Sequence, residues 1–119
     1  MRKNIAVLAA LAIVIVMGFS AKVATESGAS AFPGLSFSGT KATCSLRVYA
    51  THTTDSIVAS VTLKHGTSTV KQWMNLTANG ILDFSDTATV AHGESYTLQV
   101  TLEINNVSYT IADITKTCP

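Results

Sequence analysis

The sequence predicts an all-β fold in a single domain, from three features that suit strands. Apolar and polar side chains alternate in several segments, as they do where one face of a strand is buried. Seventeen threonines favour a pleated, half-exposed surface. Polar or glycine-bearing breaks recur every thirteen residues, which fits strands of about eight or nine residues joined by short turns: Thr53, Gly66, Asn79, His92 and Asn105.

The first nineteen residues predict a secretory signal that precedes this domain. A short cationic start is followed by an almost unbroken apolar run over Ile5–Phe19. A membrane-spanning helix needs about 20 apolar residues, and this run is shorter. We therefore expect a secreted, extracellular protein, with cell-wall association as an option. Cleavage is expected after Ser20 or after Ala31, so that 1–31 is a signal helix with a short leader and 32–119 is the β domain.

Charge excludes one class of partner. Without Arg2 and Lys3, six basic side chains stand against seven acidic ones, so the net charge of the exported chain is about −1. Nucleic-acid binding depends on clustered Lys and Arg side chains that neutralise phosphates. Here they are scattered singly, at Lys41, Arg47, Lys64, Lys71 and Lys116. We expect no nucleic-acid partner, no cofactor and no membrane span after the signal is removed.

Seven strands are expected after the signal, at 35–38, 41–50, 56–65, 69–77, 81–90, 95–104 and 107–117. The strand at 41–50 places Cys44 on its apolar face, and the strand at 95–104 has the cleanest alternation. The polar triplet within 81–90 makes that strand the least regular. Asn79-Gly80 is the strongest hairpin signal in the chain.

The last predicted strand contains a break in parity. Val107, Tyr109 and Ile111 share one face, whereas Ile114 and Cys118 have the opposite parity. A one-residue β-bulge near positions 112–113 would return all five side chains to the same side. The same bulge turns Lys116 toward the apolar face, which is tolerable only at the rim of the domain.

The two cysteines predict one disulfide. Cys44 and Cys118 are the only pair, and an even count in an exported chain is most simply a bridge. On the chain-entropy model, closing a loop of about 75 residues would stabilise the fold by roughly 4 kcal/mol.

The segment Gly93-Glu94-Ser95-Tyr96-Thr97-Leu98-Gln99-Val100 resembles the corner and strand of immunoglobulin-like and fibronectin type III-like domains. The chain is also similar to small secreted Gram-positive bacterial proteins that carry one such domain after a signal peptide. The resemblance implies a seven-stranded antiparallel sandwich in which Tyr96 hydrogen-bonds back across its corner. The position of Trp73, well after Cys44, departs from the antibody pattern. A β-meander or a small barrel is the alternative, because evenly spaced hairpins suit it equally.

Catalytic motifs are missing from the sequence. It contains no GxSxG, HExxH, phosphate-binding glycine loop or EF-hand spacing. The three histidines, His52, His65 and His92, all fall in predicted turns, where solvated side chains are the simplest interpretation. We expect no enzyme activity and assign no metal ligand.

Aromatic side chains supply the candidate binding surface. Strict alternation would place Trp73 on an exposed face, where it could act with Tyr49 and Arg47 to stack on a sugar ring or to anchor a protein. A bulge or an edge position would instead bury the indole in the core, and the sequence leaves both alternatives open. The function that we expect is a small secreted, non-catalytic binding module of the cell envelope or extracellular space. Its partner would be an unknown protein or envelope polymer, and a secreted inhibitor or toxin is the alternative.

Overall fold

A computed structural model describes residues 23–24 and 29–119. Of the predicted signal peptide and leader, 1–31, only residues 23–24 and 29–31 are among those described. The described residues form nine β-strands and no helix. Their bounds are β1 Val23–Ala24, β2 Ser30–Ser38, β3 Lys41–Tyr49, β4 Ser56–His65, β5 Ser68–Asn79, β6 Ile81–Thr89, β7 Ser95–Ile104, β8 Val107–Thr110 and β9 Ile114–Thr117. The predicted all-β class is therefore confirmed for this part of the chain.

The strands form two antiparallel sheets, which do not close into a barrel. One sheet has four strands in the order β1–β2–β3–β6. The other has five, with β4 between β5 and β7, and with β8 and β9 both paired to the far edge of β7. Every neighbouring pair is antiparallel, as expected for strands joined by short turns.

The facing sides of the two sheets share one apolar core. Alternate residues of β3, β4 and β7 point into it, among them Leu46, Val61 and Leu98, each at most 1 % exposed. No polar or charged residue is buried among the described residues. Burying apolar area of this kind supplies most of the favourable free energy of folding.

The first long strand is longer than the sequence predicts. The expected strand at 35–38 begins at Ser30 in the structure and pairs with β3 along its whole length. Pro33 and Gly34 obscure the strand pattern, because proline is confined to edges and glycine weakens strands. Ala31, placed in the predicted leader, is 1 % exposed and belongs to the core.

The predicted Asn79-Gly80 hairpin is wrong, because this turn carries the chain from one sheet to the other. β5 and β6 lie in different sheets and do not pair. Gly80, with φ of 81°, contacts the loop between β3 and β4, where its N–H donates to the Asp55 carbonyl and its carbonyl accepts from Ala50 N–H. A tertiary contact thus overrides the local hairpin preference.

The predicted one-residue slip in the last strand is confirmed, but it takes the form of a break at 111–113 that divides the strand in two, and not of a bulge. Thr110 pairs with Thr101 and Ile114 pairs with Leu98, so four steps along the chain match three steps along β7. Ile111 and Ile114 are both buried as a result. The shift also turns Lys116 toward the gap between the sheets.

Each open side between the two sheets is crossed by a lysine. On one side, Lys116 of β9 donates through Nζ to the Leu35 carbonyl of β2 at 2.7 Å. On the other, Lys71 of β5 donates to the Thr87 carbonyl of β6 at 3.1 Å. Inward-pointing charges on edge strands discourage pairing with another chain. The conflict that the sequence raised at Lys116 is resolved because its ammonium reaches a carbonyl at the rim.

Tyr96 fastens the loop that precedes β7. Its ring is buried, and its hydroxyl accepts the Ala91 N–H at 2.8 Å. This is the back-reaching hydrogen bond that the resemblance implies. Two backbone bonds then hold Cys118 against the same loop, from Gly93 N–H to the Cys118 carbonyl and from Cys118 N–H to the Glu94 carbonyl.

Candidate binding surface

An apolar and charged group of side chains covers one end of the outer face of the four-stranded sheet. Alternate residues of β3 face solvent there, because the residues between them fill the core. The register places Arg47 between Phe32 of β2 and Asp83 of β6, and places Tyr49 beside Ile81. We call these five side chains, from three adjacent strands, the outer patch.

The outer patch combines exposed apolar surface with an oriented ion pair. Tyr49 is 38 % exposed and Ile81 is 55 % exposed. Phe32 meets Tyr49 edge-on, with ring centroids 5.9 Å apart. Tyrosine and arginine side chains of this kind anchor protein interfaces.

Arg47 is held in place by two neighbours on the outer patch. Its Nη2 donates to Asp83 Oδ2 at 2.7 Å, and its Nη1 lies 3.5 Å from the Tyr49 hydroxyl. These two hydrogen bonds, that with Asp83 first, raise the pKa of the guanidinium. Because both charged side chains are more than half exposed, the pair contributes little to stability and remains accessible to a partner.

Trp73 lies apart from this surface, which separates the three residues predicted to act together. A bulge at Asn75, with φ of 57°, changes the parity of β5, so that Trp73 opposite Val61 and Leu76 opposite Ala59 both face the gap between the sheets. The indole is half-buried, packs on the core and meets Phe84 at 5.4 Å. The bulge that the sequence left open is therefore present, and only Tyr49 and Arg47 are brought together.

The indole N–H of Trp73 closes the edge between β5 and β6. Nε1 donates to Asp86 Oδ2 at 2.8 Å, and Lys71 Nζ lies 3.7 Å from the same oxygen. Hydrogen bonds from Thr87 N–H and then from Trp73 lower the pKa of Asp86. This cluster is already paired internally, so we assign it to the fold rather than to binding.

The predicted disulfide is not formed: Cys44 and Cys118 are separate, fully buried thiols. Cys44 pairs with Leu35 and Asp86 in the middle of β3, whereas Cys118 Sγ lies 3.4 Å from the Gly39 carbonyl at the β2–β3 turn. Burial, followed by the nearby Asp86 carboxylate, raises the pKa of Cys44 to about 11.

The histidines are distributed over both ends of the domain. His65 Nε2 lies 2.9 Å from Glu94 Oε1, and His92 Nδ1 lies 2.8 Å from the Pro119 carbonyl oxygen. His52 sits in the loop at the opposite end. Within residues 23–24 and 29–119, no three His, Cys, Asp or Glu side chains are grouped so that they could hold a metal ion.

No family model matches this chain, and no curated protein or solved structure matches it either. In the part that the structure describes, no helix has the length and apolar character to span a membrane.

Sequence reasoning missed three members of the outer patch. Phe32 was missed because its strand was expected to start at 35, and Ile81 and Asp83 because their strand was the least regular. The parity of Ile81 and Asp83 within β6 is a usable signal, since both alternate with the core residue Leu82. That signal becomes informative only once β6 is known to pair with β3.

Proposed function

We propose that this protein is a small exported, non-catalytic binding module that docks a protein partner through the outer patch. The observation that carries the proposal is the group formed by Phe32, Tyr49 and Ile81 around the Arg47–Asp83 pair. Tyr49 and Arg47 favour a protein partner, because aromatic and arginine side chains are enriched in protein interfaces. The partner is expected to present apolar side chains to Ile81 and Tyr49, and hydrogen-bonding groups to the ion pair.

An immunoglobulin-like, fibronectin type III-like sandwich is the proposed architecture of the module. Two observations support it. The strand order places β2, β3 and β6 in one sheet and β5, β4, β7 and the last strand pair in the other. The Tyr96 hydroxyl accepts a backbone N–H five residues upstream, as in the tyrosine corner of these domains.

Export and the absence of catalysis are parts of the same proposal. The cationic start and the apolar run over Ile5–Phe19 support export. The outer patch contains no nucleophile paired with a base, and its one carboxylate is occupied by Arg47. Its chemistry is therefore suited to recognition.

Site-specific photocrosslinking in the producing cells tests this function. A photoreactive phenylalanine at Ile81 reports on the outer patch, and the same residue at Met74, which is 57 % exposed on the other sheet, is the matched control. We expect one saturable protein adduct from position 81 and none from position 74. Arg47→Glu, combined with the probe at 81, should abolish the adduct while the variant still folds, which a cooperative thermal transition would show. Equal adducts from both positions, or an adduct indifferent to Arg47→Glu, would contradict the proposal.

A further inference from the structure

A second candidate site lies on the opposite sheet. The outer face of the five-stranded sheet contains an open cleft of about 400 Å³, crossed by β4, β5, β7 and β8. This volume is within the about 300–1,000 Å³ that small-ligand sites occupy. Besides Tyr109, which packs against the core, its polar lining comprises Ser60, Asn75, Thr101, Glu103, Ser108 and Thr110. None of these residues belongs to the outer patch.

A strand irregularity shapes this cleft. At Asn75, three steps along β5 match two along β4, and the residue adopts φ of 57°. Bulges bend the strand that carries them. The Asn75 N–H lies 3.5 Å from Ser60 Oγ, so the bent strand stays close to the cleft floor. The concavity is therefore part of the sheet itself, on rigid strands, and not a gap between loops.

The functional groups of the lining define the class of ligand. Four hydroxyls can each donate and accept a hydrogen bond, the Asn75 amide can do both, and the Glu103 carboxylate can only accept. No Lys or Arg is among the described residues that line the cleft, and no cationic side chain of the described residues pairs with Glu103. An anionic ligand would be repelled by Glu103. A ligand with many hydroxyl donors, together with C–H groups to rest on Val58, matches these polar groups and their apolar neighbour.

We infer that this cleft binds a neutral saccharide, with Glu103 and Thr101 as its principal hydrogen-bonding residues. The two residues lie on the same exposed face of β7, two positions apart, and their cross-strand neighbours are Val58 and Ser60 on β4 and Ser108 and Thr110 on β8. A sugar hydroxyl that donates to Glu103 forms a charge-assisted bond, stronger than one between neutral groups. The inference is independent of the protein-docking proposal because it concerns the other sheet.

Amide chemical shifts of the isotope-labelled protein test the inference. Maltotetraose, cellotetraose and chitotetraose are the neutral probes, and tetragalacturonate is the charged counterpart. At least one neutral probe should saturably shift the amides of Thr101, Glu103 and Ser108, with the galacturonate at least tenfold weaker. Thr101→Val and Glu103→Ala should each weaken binding about tenfold or more, as the loss of a hydrogen bond to a charged or well-placed group does.

A matched substitution on the same face serves as the control. Thr97 lies outside the cleft and bonds to Thr115, so Thr97→Val should leave saccharide affinity within twofold. Shifts from no neutral probe at 10 mM, or binding of galacturonate as tight as that of neutral sugars, would overturn the inference. Preferential binding of an oligolysine peptide that Glu103→Gln abolishes would also overturn it, because the cleft would then be a cation site.

Discussion

Replacing Tyr96 with phenylalanine tests whether the loop before β7 is fastened by a single hydroxyl. The ring is 5 % exposed, and its oxygen accepts the Ala91 N–H at 2.8 Å. Phenylalanine keeps the ring and its contact with His65 at 5.2 Å, but it leaves a partly buried N–H without its acceptor. Such a loss costs about 1–3 kcal/mol. For a domain of this size, we expect the melting temperature to fall by roughly 5–15 °C.

Thermal and urea unfolding followed by circular dichroism measure this effect, and amide hydrogen exchange at Ala91 locates it. Tyr49→Phe is the matched control, because its exposed hydroxyl is 3.5 Å from Arg47 and its removal should change stability by less than about 0.5 kcal/mol. If Tyr96→Phe were as stable as Tyr49→Phe, and Ala91 exchanged no faster, the role assigned to the hydroxyl would be refuted.

Three other measurements test separate parts of the structure. Gly80→Ala should lower the free energy of unfolding by about 3 kcal/mol or more, because φ is 81° and a Cβ would lie 2.9 Å from main-chain atoms of Thr53. Gly39→Ala, with open space around it, should lower it by about 1 kcal/mol. Equal losses of stability in urea titrations would contradict this prediction. Cys44 has a pKa of about 11 in the folded protein. In the absence of reductant, it should therefore react with a thiol reagent at pH 8 on the order of a hundredfold more slowly in the folded protein than in denaturant. A chain with no titratable thiol in denaturant would rule out free cysteines. The pKa of Asp86 is lowered below 3.8, so its hydrogen bonds stabilise the fold above that pH and are lost as the pH falls through the lowered value. Trp73 fluorescence should therefore change in that pH range, because the indole donates to Asp86. Asp86→Asn should remove this transition.

Strands with complete local patterns were predictable from the sequence. The strands expected at 56–65 and 95–104 have these same bounds in the structure. Both lie in the interior of their sheet, with a neighbour on each side, so burial of one face imposes a strict alternation. The one-residue slip before Ile114 was predictable for the same reason, since the parity of buried side chains must be restored on either side of it.

Edge strands and their partners were less predictable. β5 has an unpaired edge and two register shifts, and most of its side chains are exposed, so alternation does not identify its inner face. Trp73 was consequently assigned to two possible environments. The outer patch was found only in part, because Phe32, Ile81 and Asp83 join Arg47 through pairing between strands that are far apart in the sequence.

The amino-acid sequence determines the class of this fold, the rhythm of its turns and the inner face of each central strand, because these depend on a period of two and on residues close in the chain. The tertiary structure decides which strands become neighbours, and therefore that the turn at Asn79-Gly80 passes from one sheet to the other, that the two buried thiols are not bonded, and that two lysines close the open sides. The reason is physical: a local pattern specifies that a face must be buried, while the register and packing of remote strands specify what buries it.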